Sequence, residues 1–96
     1  MGKLAGQALA YHAFGHEQNS DAALAGLIAE YSNQGAYQIA QVYAYRGQSQ
    51  ECFTWLERAY KQRDPGLPEI NRDPLFRNLH DDPRYAELLK KVHLPI

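Results

Sequence analysis

His12 and His16 stand four residues apart, the spacing that puts two imidazoles on one helix face, and Glu17 follows as an oxygen ligand. Metal coordination is therefore the first chemistry to weigh. Gly15 should end the helix before His16, no HExxH order occurs, and the remaining histidines, His80 and His93, lie in the tail. The expectation is no metal site, with His12 on a groove or surface and His16 in a loop. Cys52, the single cysteine, cannot close an intramolecular disulfide, and no Lys, Arg or His adjoins it to lower its pKa. It reads as a packed residue rather than a nucleophile. There is no glycine-rich phosphate loop, no GxSxG elbow and no carboxylate pair with an obvious mechanism, since Asp81-Asp82 reads as a helix cap. The sequence thus predicts no catalytic residue, no metal and no cofactor: not an enzyme.

Ninety-six residues suit one domain with a modest core. A 45% hydrophobic and 22% charged composition is that of an ordinary soluble globular chain, without an apolar run long enough to cross a bilayer. Ten basic against eleven acidic residues, a net charge of -1, remove the usual electrostatic warrant for nucleic acid or an anionic membrane. No charged-then-apolar leader is seen, and Gly6 stands where a myristoylation motif wants Ser or Thr, so the chain is expected to be cytoplasmic.

These side chains must be positioned by helices. All five prolines fall at or after Pro65, and apolar residues before it recur at helical spacing. A first helix is predicted from about Leu4 to Phe14, stopping at Gly15. A second follows the capping candidates Asn19, Ser20 and Asp21 and carries Leu24, Leu27, Ile28 and Tyr31. A third runs from about Ala36 to Arg46, with Ala36, Ile39, Ala40 and Tyr43 inward, and a fourth starts near Ser49 with Cys52, Leu56 and Ala59 on one face. The fold class is all-α. Within it, Tyr11-x-x-x-Gly15 recurs as Tyr43-x-x-x-Gly47, 32 residues on, whereas Leu27 and Tyr31 match Leu56 and Tyr60 at an offset of 29. The mismatch implies three extra residues in the first inner turn, within His16 to Ser20.

Two helix hairpins at this period, with Ile39-Ala40, Tyr43, Gly47, a small residue at Cys52, Leu56, Ala59 and Asp64-Pro65, resemble the tetratricopeptide repeat. Ala8, Tyr11 and Gly15 fit the same pattern in the first hairpin, while Glu30 stands where a small residue is expected. Asp73-Pro74-Leu75-Phe76-x-x-Leu79 and Asp82-Pro83-Arg84-Tyr85-x-x-Leu88-Leu89 resemble the segment that closes such arrays at the C-terminus of longer bacterial proteins. Each Asp-Pro supplies an N-cap acceptor and a pre-set φ at the first helical position. A short helix near Pro74 to Leu79 and a longer one from Pro83 to about Val92 should cover the fourth helix. The expected organisation is one domain over 1–96: repeat 1 at 1–33, repeat 2 at 34–64 and a capping tail at 65–96.

Tyr11, Tyr31, Tyr43 and Tyr60 are expected in the core. Tyr37, Gln41 and Tyr45 form a separate stripe at spacings of four on the third helix. In tetratricopeptide proteins the first helix of each repeat lines a concave groove, so the resemblance places Tyr37, Gln41 and Tyr45, with Leu9 and His12, on a partner-binding surface. Contact with the capping tail or a neighbouring subunit is the competing explanation for the stripe. The expected function is a non-catalytic scaffold that binds a protein or peptide. The alternative is a regulatory or assembly segment of a larger protein, its groove filled by upstream domains of the same chain. RNA binding would need a basic groove that the sequence does not supply.

Overall fold

A computed structural model describes residues 2–92; His93 and Pro95, which figure in the sequence reading, lie outside them. The described chain is all-helical: α1 (Gly2–Ala13), α2 (Glu17–Tyr31), α3 (Ala36–Tyr45), α4 (Ser49–Gln62), two 3₁₀ segments, η1 (Leu67–Arg72) and η2 (Pro74–Leu79), and α5 (Pro83–Lys91). α1 packs on α2 and α3 on α4, each pair joined by a three-residue turn.

Those two turns have the same construction. Gly15 and Gly47 take φ of 79° and 77°, a region closed to most side chains, and the next amide reaches back over the helix end. His16 N donates to the Tyr11 carbonyl at 2.7 Å and Gln48 N to that of Tyr43 at 2.9 Å. α2 consequently starts at Glu17, earlier than expected, and Asn19, Ser20 and Asp21 lie inside it instead of capping it. Ser20 is fully buried, its hydroxyl donating to the Ala8 carbonyl at 2.8 Å.

The inner turn therefore holds no insertion. Ser20 and Cys52, like Leu24 and Leu56, occupy corresponding buried positions 32 residues apart. Aligning Leu27 and Tyr31 with Leu56 and Tyr60 slips the helices by three residues. A slip of nearly one turn keeps the apolar face in phase, so periodicity alone does not reveal it. The slip also explains why Glu30 looked out of place: the counterpart of buried Ala59 is buried Leu27, and Glu30 is exposed.

Two apolar clusters meet across α3. One joins Ala8, Leu24 and Leu27 to Ile39 and Val42 of α3. The other joins Ala40, Cys52, Leu56 and Ala59 to Ile70, Phe76, Tyr85 and Leu88 of the tail. Tyr43 and Trp55 are partly buried and pack against both. Of the four tyrosines expected in the core, Tyr11, Tyr31 and Tyr43 are half-buried and Tyr60 is exposed, with Lys91 lying over its ring.

The tail turns on three Asp-Pro steps nine residues apart, at Asp64, Asp73 and Asp82. Asp73 accepts from Leu75 N at 3.0 Å and Asp82 from Arg84 N at 2.9 Å, each opening the following helical segment as predicted. Asp64 accepts from Gly66 N and, across the fold, from Tyr37 N. η1 lies where the sequence predicts no element; its two buried side chains, Leu67 and Ile70, are three apart, the interval at which a 3₁₀ helix stacks side chains on one edge.

Candidate functional site

The five residues assigned to a groove divide into three groups. Tyr37 is only 6% exposed, its ring tilted against Phe76 with centroids 5.4 Å apart. Its hydroxyl donates to Asp73 Oδ2 at 2.7 Å, and Gln41 Nε2 donates to the same oxygen at 2.6 Å. Burial first, then the hydrogen bond to the Asp73 carboxylate and the charge of that carboxylate, hold the Tyr37 phenol far above the ordinary tyrosine range. The stripe through 37, 41 and 45 is thus not one open groove: the tail covers its first two residues. Ala36, Tyr37, Ile39, Ala40, Val42 and Ala44 are all buried, because α3 is enclosed by the first helix pair, by α4 and by the tail. The inward face defined by Ala36, Ile39, Ala40 and Tyr43 accounts for only part of that arc.

Leu9 is half-buried and packs on the cluster that joins α1 and α2 to Ile39 and Val42 of α3. His12 and Tyr45 do come together. Their rings meet edge-on, 5.6 Å between centroids at 75°, and His12 Nδ1 lies 2.6 Å from Glu17 Oε1, an ion-pair distance outside the alignment of a hydrogen bond. Arg46, at the end of α3, pairs with Asp21 and, more distantly, Glu17, which fixes α3 to α2 beside this contact.

Tyr45 is 42% exposed and forms one wall of an open cavity of about 570 Å³. Ala44, Pro74, Leu75, Arg77 and Asn78 complete the lining, and the volume is within the range of ligand sites. Asn78 Nδ2 donates to the Ala44 carbonyl at 3.3 Å, tying η2 to the end of α3. The tail residues of this lining were read from sequence only as caps. The short helix expected over the fourth helix lies mainly on α3 instead, held by Asp73 on Tyr37 and Gln41 and by Asn78 on Ala44, because the Asp-Pro-Leu-Phe order fixes where a helix starts and not what it packs on.

The two histidines of the opening motif do not converge: His16 stacks on Tyr11 while His12 turns to Glu17 and Tyr45. Among the described residues no group of three His, Cys, Asp or Glu side chains is placed to hold a metal ion. Cys52 is fully buried, and burial, opposed only in part by Arg84, pushes its thiol up to about 12, so it is a neutral packing residue at physiological pH. No helix among the described residues is long and apolar enough to cross a membrane. Compared with protein-family models, curated proteins and solved structures, the chain has no significant match.

Proposed function

We propose that this chain is a non-catalytic protein-interaction module: two tetratricopeptide-like helix pairs and a capping tail that present the Tyr45 groove to a peptide or partner domain. The carrying observation is an exposed aromatic on an open, mainly apolar cavity whose walls are fixed by α3, η2 and the Asn78 tie. Corresponding turns and buried positions 32 residues apart support the repeat reading. Selection of a displayed peptide library on the folded domain, followed by NMR shift mapping, tests it. Enriched peptides should perturb Tyr45, Leu75 and Asn78 and lose binding in Tyr45→Ala; perturbations confined to another face, or no enrichment, would refute the groove.

One observation favours the second reading, an assembly segment of a longer chain. Leu4, Gln7, Tyr11, Asn19, Ala22 and Ala23 frame a hollow of about 350 Å³ on the outer side of α1 and α2. The corresponding face of α3, which carries Ile39, Val42 and Tyr43, is covered by the first helix pair. An upstream helix pair seated there would bury Leu4 and Tyr11 of the hollow as the first pair buries the α3 face.

A further inference from the structure

We propose that the Tyr45 groove selects an acidic-apolar peptide, an extended segment whose aliphatic side chain enters the cavity while a carboxylate meets Arg77. The inference rests on the groove reading above and adds the chemistry of the partner. Ala44, Pro74 and Leu75 supply an apolar lining and Tyr45 an aromatic wall, which suits an aliphatic side chain. The polar groups left uncommitted around it are mostly donors. Arg77 is exposed and has no ion pair among the described residues, which is also true of Arg58 and Arg63, but of these three it is the one that lines the cavity; Arg46, Arg72 and Arg84 each face a carboxylate. The Tyr45 hydroxyl makes no hydrogen bond among the described residues, and Asn78 spends one amide N–H on Ala44 and keeps the other together with its Oδ1, so the charged donor of the rim is Arg77. Asp73, the N-cap of the same segment, does not supply the missing acceptor. Its Oδ2 takes Tyr37 and Gln41 and its Oδ1 takes Leu75 N.

The adjoining half of the α3 face already holds a segment of this chemistry from the same chain. There a carboxylate, Asp73, sits on two side-chain donors, and an aromatic three residues later, Phe76, packs on the Tyr37 ring. The open half repeats the combination of an apolar lining with donors at the rim, but no part of the described chain fills it. An anionic partner also fits the arithmetic of charge-assisted contacts, which are the strong hydrogen bonds available to a guanidinium.

Fluorescence anisotropy with labelled octapeptide pools decides the matter, the pools sharing randomised Leu, Val and Ala positions and carrying Glu, Gln or Lys at the polar ones. The Glu pool should bind about tenfold more tightly than the Gln pool, the scale of one charge-assisted hydrogen bond, and the Lys pool least. Arg77→Gln should bring the Glu pool to the level of the Gln pool without moving the melting temperature, since Arg77 is exposed and unpaired. Tyr45→Ala should weaken all pools. Equal binding of Glu and Gln pools, or a Glu preference that survives Arg77→Gln, overturns the proposed chemistry and leaves the groove standing. Binding indifferent to Tyr45→Ala, or none by any pool, overturns the groove itself and this inference with it.

Discussion

Replacing Asp73 by Ala probes the contact that closes the α3 face. The side chain has three donors on it: Leu75 N at 3.0 Å, the Tyr37 hydroxyl at 2.7 Å and Gln41 Nε2 at 2.6 Å. Loss of the cap alone costs about 1 kcal/mol. Tyr37 is 6% exposed, so its stranded hydroxyl adds about 1–3 kcal/mol, while half-buried Gln41 turns to water at little cost. The sum, about 3 kcal/mol, is a large part of the roughly 5–15 kcal/mol that holds a domain of this size together. At about 4–8 °C per kcal/mol the melting temperature should fall by roughly 12–24 °C. Circular dichroism melts and urea titrations read this directly. Tyr37→Phe keeps the ring on Phe76 and loses only the hydroxyl, for about 1 kcal/mol, and the two changes should be non-additive because they share one hydrogen bond. A drop below about 3 °C for Asp73→Ala, or strict additivity with Tyr37→Phe, would show that the tail is not held on α3 through this carboxylate.

Ala40 has no exposed surface and lies with Cys52, Leu56 and Ala59, so Ala40→Leu should overpack the α3–α4 contact and cost about 1–3 kcal/mol; an unchanged denaturation midpoint would refute that. Ending the chain after Asp64 removes Ile70, Phe76, Tyr85 and Leu88 from the larger cluster, and the fragment should aggregate or bind a hydrophobic dye; a monomeric, cooperatively unfolding fragment would contradict this. At alkaline pH the native state keeps protons that the unfolded chain gives up, because Cys52 titrates near 9 when unfolded and about 12 when folded, and Tyr37 is raised in the same direction. Stability should hold below pH 9 and decline between pH 9 and 12, by up to about 1.4 kcal/mol per pH unit for each such group, with a shallower slope in Cys52→Ala; a flat profile over that window would sink the assignment.

Local chemistry made the helices legible. A proline-free first two-thirds, glycines after Tyr-x-x-x, and Asp-Pro steps each act within a few residues of where they stand, and α3, α4, η2 and α5 begin within a residue or so of their predicted starts. The error at α2 has a physical source of the same kind. Asn19, Ser20 and Asp21 are good caps in isolation, but the turn set by Gly15 places the helix start at Glu17, and Ser20 then meets the Ala8 carbonyl instead of a free amide. Tertiary geometry overrode local preference, as it does wherever a tight turn fixes the register.

The site was less legible because its walls come from segments far apart in sequence. Tyr37 and Tyr45 are two helical turns apart on one stripe and share a residue type, and nothing local to α3 distinguishes them. Their fates separate where the tail crosses. Gly66 passes so close to Tyr37 that a Cβ on it would lie 2.6 Å from the ring, and Asp73 then anchors the chain on the hydroxyl. By Asn78 the chain has reached the Ala44 carbonyl and turns away through Leu79 and His80 toward α5, leaving Tyr45 beside an open cavity. A tyrosine becomes core or surface here according to the path of a strap 29 or more residues downstream. The missing side chain at Gly66 is what lets the strap close on the Tyr37 ring, and the Asn78 tie to Ala44 marks where it leaves the α3 face before Tyr45 is covered.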